Sequence, residues 1–159
     1  DDFKPLSIET IITKAVENVK PQAIRKDNEI KPKLSASLPK VSGNEGTLVE
    51  AIVNILNNAV KYSRIGKKIE IGAETDNGHI SIHITDNGVG IAAEDLPHIF
   101  DDFYSGKTRP KGERSSGVGL AISKRIIEAH DGMISVKSKL GEGSSFTIRL
   151  PIIVNDELS

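Results

Sequence analysis

Residues Thr47 to Ser63, reading TLVEAIVNILNNAVKYS, constrain the fold of this chain more than any other stretch. At about 100° of turn per residue, Glu50, Asn54, Asn57, Asn58 and Lys61 fall within one band of a helix about 100° wide. Leu48, Val49, Ala51, Ile52, Val53, Ile55, Leu56, Ala59, Val60 and Tyr62 take up the rest of the circumference. A helix so apolar must lie in a core with only its stripe open. Asparagine is a poor helix former, so three of them here carry a local cost that something must offset. Solvated helix faces are usually built from Glu, Lys, Gln and Arg. Neutral amide oxygens beside a lysine suit instead a polyphosphate carrying magnesium, since they ligate a hard cation without adding charge and the ammonium meets phosphate. A solvated face and a ligand-binding stripe both stand as readings of this helix alone.

Around it, the chain has the size of one domain, 159 residues, with a net charge of −1. That charge marks no global field for nucleic acid or for a membrane surface, so any basic site must be local. The absence of cysteine excludes disulfide, thiolate and zinc-ribbon chemistry and is compatible with a reducing compartment. No apolar run of membrane-spanning length and no signal peptide is visible. The abrupt start at Asp1 reads as a piece of a longer protein.

Ser7 is placed to cap an amphipathic helix carrying Ile8, Ile11, Ile12, Ala15, Val16 and Val19, which Pro21 kinks or opens near its end. Glu29 to Ser37, interrupted by Pro32, reads as an edge strand, and Pro39 to Gly46 as a loop. Four segments then alternate with period two: Lys68 to Glu74, Ile80 to Thr85, Ile134 to Lys137 and Phe146 to Leu150. Asp76-Asn77-Gly78 joins the first two as a hairpin. One-sided alternation predicts a largely antiparallel mixed sheet with one face in water and about three helices on the other, a two-layer α/β sandwich. His83 falls on the watery face.

Asp-Asn-Gly recurs at Asp86, followed by Val89-Gly90-Ile91 and a short helical stretch from Ala92 to Phe100, so this copy is no hairpin. Asp86 shares the parity of Ile80, Ile82 and Ile84, which aims its carboxylate into the covered face, where it needs donors. Gly88 and Gly90 are expected to let a flat ligand approach the backbone, and an adenine amino group is a suitable donor. A strand-ending Asp that caps a turn is the plainer alternative. Residues 104–116 hold Lys107, Arg109, Lys111 and Arg114 among glycine and proline, a basic loop. Gly117-Val118-Gly119 opens a helix with Leu120, Ile122, Ile126, Ile127 and Ala129 on its apolar side, and helix N-termini bind anions. A Walker site is excluded because Val118 stands where its lysine belongs. The dinucleotide pattern at Gly88 to Ala93 lacks the second parallel strand that it requires.

In this order, the elements resemble the ATP-binding catalytic domain of bacterial sensor histidine kinases, in the GHKL superfamily, over about residues 4 to 151. Asn54-Ile55-Leu56-Asn57-Asn58-Ala59 is similar to the N box, Asp86-Asn87-Gly88-Val89-Gly90 to the G1 box, Phe100-Asp101-Asp102-Phe103 to the F box and Gly117-Val118-Gly119-Leu120 to the G2 box. Gly141 to Phe146 is similar to the third glycine turn. The resemblance implies one ATP-binding domain over 1–159, with an ATP lid at 104–116 and a tail at 152–159. It implies ATP and Mg2+ as cofactors, Asn58 with Asn54 on the metal, and Lys61 and Tyr62 near the nucleotide. Asp86 would read adenine, and Gly88, Gly90, Ile91, Phe103 and Ser145 would also contribute to the nucleotide site. Gly117, Val118, Gly119 and Leu120 would line the triphosphate, with Lys107, Arg109 and Arg114 closing on it.

Two departures matter. The F box often has a basic residue where Asp102 stands, and an arginine where Ser105 stands. No phosphoacceptor histidine is present: His79, His83 and His98 sit in sheet or short-helix contexts, and His130-Asp131-Gly132 ends a helix as a C-cap turn. The resemblance therefore implies transfer of the γ-phosphate to a histidine on a separate dimerisation and acceptor domain, with a response regulator downstream. It further implies a monomeric fragment, a cytoplasmic location with a parent that is an inner-membrane sensor in some cases, and no nucleic-acid partner. A regulatory ATP-binding module without transfer, and a GHKL ATPase, are the alternatives. Hydrolytic relatives place a glutamate base where this chain has Asn54, which cannot take a proton from water at neutral pH.

Overall fold

The computed structural model describes residues 3–102 and 119–154. In chain order the elements are β1 (Lys4–Leu6), α1 (Ile8–Arg25), β2 (Glu29–Leu34), β3 (Val41–Gly43), α2 (Glu45–Tyr62), β4 (Lys68–Asp76), β5 (His79–Asp86), a 3-10 turn (Leu96–His98), α3 (Gly119–Ala129), β6 (Met133–Lys139) and β7 (Gly143–Pro151). Five strands form one sheet in the order β2-β4-β5-β7-β6, with β2 parallel to β4 and every other pairing antiparallel.

The alternation sets the layers. Ile69, Ile71 and Ala73 of β4, Ile80, Ile82 and Ile84 of β5, and Phe146, Ile148 and Leu150 of β7 all turn inward and are buried. Opposite them lie Ile8, Ile11, Ile12, Ala15 and Val19 of α1 and Leu48, Ile52, Ile55 and Leu56 of α2. The result is a two-layer sandwich, with the helices on one face of a mixed sheet. The Asn77-Gly78 hairpin forms with both residues at positive φ (47° and 80°) and Asp76 opposite His79, which matches the right-handed twist of its strands.

Ser7 caps α1, its Oγ accepting from the Thr10 N–H, and the helix runs through Pro21 to Arg25. Among the described residues, no helix is long and apolar enough to cross a membrane.

Four expectations are corrected. The stretch 39–46 is not all loop: β3 pairs with β1, Leu6 opposite Val41, as a separate two-stranded sheet. α2 begins at Glu45, because Asn44 caps it by accepting the Thr47 N–H at 2.9 Å. Between Ala92 and Phe100 there is only a 3-10 turn, since the Asp95 N–H and His98 N–H close three-residue loops onto Ala92 and Asp95, and Pro97 has no N–H to extend a helix. On α3, Ala129 is exposed, whereas Ala121 and Ser123 are buried against α2. Ser123 is tolerated there because its Oγ donates to the Ala51 carbonyl at 2.8 Å. The expected tail is also partly anchored: Ile152 bridges to Val41, and the Ile153 N–H donates to the Lys40 carbonyl.

His130 joins the ends of two helices. Its Nδ1 bonds the Ile126 carbonyl at 2.8 Å, its Nε2 accepts the Asn44 N–H at 3.1 Å, and Phe3 stacks on its ring. A histidine accepting from a backbone N–H while held in a helix-ending turn has the place of a structural bolt.

Candidate functional site

β5 ends on Asp86, whose side chain continues the inward row of Ile80, Ile82 and Ile84 and is 4% exposed. Its Oδ1 accepts the Gly88 N–H at 2.8 Å. Burial pushes the carboxyl above its ordinary value, and the backbone N–H groups of Gly88 and Ser144 pull it down without cancelling that effect. A carboxylate kept partly desolvated in this way is poised to accept from a further donor.

The glycines that follow lie tight against protein backbone. A Cβ on Gly88 would lie 2.0 Å from the Tyr62 carbonyl oxygen, and one on Gly90, at φ +74°, would lie 2.2 Å from that of Lys139. Protein backbone fills the space a Cβ would take at both positions, and the loop is drawn against the end of α2 by the Val89 N–H donating to the Tyr62 carbonyl at 3.2 Å. Gly143 repeats the device, a Cβ there falling 2.2 Å from the Asp86 carbonyl oxygen. Asp86 is thus wedged between the end of α2 and the β6–β7 turn.

The polar stripe of α2 runs away from this carboxylate. Asn54, Asn57, Asn58, Lys61 and Tyr62 are half-buried, and Glu50 is exposed. At the far end, Asn54 Nδ2 donates to the carbonyl of Gly119, the first residue of α3, at 3.2 Å. That bond leaves the Asn54 oxygen as an acceptor. α3 has no acidic residue in its first turn, so its N-terminus favours an anion. From Asn54 to Tyr62 is eight residues, about 12 Å along the helix at 1.5 Å each. A single helix therefore connects an anion-favouring terminus, an amide-rich stripe and a buried carboxylate.

The remaining expected residues divide into three groups. Ile91 packs against the core and its N–H donates to Ser138 Oγ at 2.8 Å, while Leu120 is half-buried at the start of α3. Ser145 turns to the outer face of the sheet, where its Oγ meets Thr85 Oγ1 at 3.0 Å. Its neighbour Ser144 is the buried residue directly across from Asp86. Ser144 has the inward parity of Phe146 and Ile148, and Ser145 the outward parity of Thr147. Phe103, Lys107, Arg109, Arg114, Gly117 and Val118, with the lid read at 104–116, lie outside the described residues.

Phe100 packs edge-on to Phe146, with ring centroids 6.3 Å apart, and the Lys124 ammonium of α3 lies over its ring, 5.7 Å from the centroid. Asp102, where a basic residue is frequent, pairs with Arg125 of α3 at 2.9 Å; both are about half-exposed, so the pair contributes little energy. His83 Nδ1 meets Thr147 Oγ1 at 3.0 Å on the outer sheet face. A groove there, lined by Lys33, Gly72, Glu74, His83 and Thr85, is on the opposite side of the sheet from Asp86.

No group of three or more His, Cys, Asp or Glu side chains that could hold a metal occurs among the described residues. The stripe offers amide oxygens instead, which suit a hard cation already carried by phosphate.

Residues 43–153 match the family described as histidine kinase-, DNA gyrase B-, and HSP90-like ATPase. The sensor-like histidine kinase SenX3 of Mycobacterium tuberculosis is 37% identical over 150 residues, which is 94% of this chain and 36% of the relative. This chain thus spans about a third of that relative's length. Among solved structures, the mycobacterial sensor histidine kinase MprB aligns with a TM-score of 0.85 at 27% identity, covering 94% of this chain and 98% of that one. Full-length ShkA in complex with AMPPNP aligns at 0.83 and 28% identity, over 96% of this chain and 32% of the other.

Proposed function

This chain belongs to the histidine kinase-, DNA gyrase B-, and HSP90-like ATPase family, and on that premise we propose that it binds Mg-ATP and donates the γ-phosphate to a histidine on a separate helical dimerisation and acceptor domain. The observation that carries the reading is the course of α2, from the N-terminus of α3 at Asn54 to the buried Asp86 beside Tyr62. Asp86 accepts from the adenine amino group. The triphosphate extends along the stripe toward α3, and Lys61, in the last turn of α2, supplies positive charge at the start of that path. Asn58, with the oxygen that Asn54 leaves available, would hold magnesium, which when bound neutralises the phosphates and polarises the γ-phosphoryl group.

Transfer rather than hydrolysis follows from what the stripe lacks. Asn54 cannot act as a base, and its amide is already engaged with Gly119. Glu50 lies a further turn back and is exposed. Water is therefore not activated, and the γ-phosphate leaves ADP only when an imidazole nitrogen attacks it. ShkA, solved with AMPPNP, shows that a protein of this fold takes a triphosphate analogue. The active unit is completed by the acceptor domain and passes its phosphate to a response regulator.

The test is incubation with ATP labelled at the γ-phosphate, with and without the separately expressed acceptor hairpin of the parent protein. Acid-labile label on the hairpin alone is expected. ADP binding without label on the hairpin would establish a regulatory module, and steady phosphate release by the chain alone would establish an ATPase.

A further inference from the structure

The carbonyl end of α2 is gripped from two sides. On one side the Lys26 ammonium, at the C-cap of α1, donates to the carbonyls of Val60 at 2.7 Å, Lys61 at 2.9 Å and Ser63 at 2.7 Å. On the other, the Tyr62 carbonyl accepts from the Val89 N–H of the loop after Asp86. The last carbonyls of a helix have no partner within it and form the negative end of its dipole. Here that end stands beside the Asp86 loop, the adenine end of the proposed nucleotide site. We propose that Lys26 is a positioning residue for the nucleotide: it neutralises the α2 terminus and holds the Tyr62 carbonyl at the spacing that the Asp86 loop requires.

The tolerance is narrow. Gly88 touches the Tyr62 carbonyl so closely that even a Cβ cannot be admitted. Movement of the last turn of α2 is therefore passed to Gly88, whose N–H holds Asp86 Oδ1. Asn28, just beyond Lys26, extends the clamp: its Nδ2 donates to the Arg64 and Lys67 carbonyls at 2.9 and 3.0 Å. Three segments thus meet at one helix end, and Lys26 is the charged group among these donors.

The inference rests on the nucleotide reading, so the experiment separates the two. ADP affinity is measured by titration calorimetry, with the Val89 amide proton followed by NMR, in the wild type, Lys26→Met and Lys26→Arg. Val19→Ala, fully buried on α1 more than a turn before Lys26, controls for lost stability. Lys26→Met should weaken ADP binding at least about fivefold, the low end of coupling between linked groups, and move the Val89 amide upfield as its bond lengthens. Lys26→Arg should restore both, and Val19→Ala should change neither. If Lys26→Met does not fold, Lys26→Gln, which keeps a donor nitrogen without the charge, is read in its place. A variant that loses melting temperature but keeps wild-type ADP affinity and Val89 shift overturns the proposal, as does equal loss of affinity in Val19→Ala. A wild type that binds no ADP overturns the nucleotide reading itself, and this proposal with it.

Discussion

Asp86→Asn should move nucleotide affinity and fold stability in opposite directions. The variant keeps an oxygen for the Gly88 N–H, now 2.8 Å from Oδ1, so the turn after β5 can persist. It then presents an NH2 where the carboxylate met the adenine amine, setting donor against donor. Hydrogen bonds to charged groups contribute about 1.5 to 3 kcal/mol, and each 1.4 kcal/mol is tenfold, so ADP should bind about ten- to a hundredfold more weakly. Stability should rise or hold, because the substitution removes a charge that burial disfavours. The pH dependence gives a second, signed check. The folded carboxyl lies above its ordinary 3.8, so its contribution to stability is fully present below that value and is lost as pH rises through the folded one. The advantage of Asp86→Asn should therefore grow across that window and then level off. Wild-type ADP affinity should fall as pH drops through the same window, since the amine needs the ionised acceptor. Titration calorimetry and chemical denaturation at several pH values measure all three quantities. An Asp86→Asn protein that is less stable than wild type and binds ADP equally well would refute the reasoning, leaving Asp86 as a turn cap only.

Gly88→Ala should cost about 1 to 3 kcal/mol or more in denaturant unfolding, because the new methyl meets a backbone oxygen rather than a yielding side chain; a neutral result would show that the loop and the end of α2 are not in the contact described. Asn58→Asp should impair phosphotransfer more than ADP binding, since it adds charge on the stripe and leaves the Asp86 end intact; equal losses in a labelled-ATP assay and in calorimetry would detach Asn58 from the phosphate end.

The sequence by itself determined what periodicity and local backbone chemistry can encode. The apolar circumference of α2 with its asparagine stripe, the inward rows of β4, β5 and β7, the Asn77-Gly78 hairpin and the buried parity of Asp86 are all one-dimensional signals, and each is present in the structure. The tertiary structure decided whatever depends on segments far apart in the chain. Three residues of β1 meeting three of β3 are too short to show a period. Gly88 and Gly90 reveal their use only when the carbonyls of Tyr62 and Lys139 arrive beside them. Nothing in the order of residues links Lys26 to the carbonyls of Val60, Lys61 and Ser63. The physical reason is the same in each case: a side chain's rotation about its own helix or strand is set by its neighbours in sequence, whereas the partner of a backbone carbonyl at a helix end is set by what the folded core brings within about 3 Å of it.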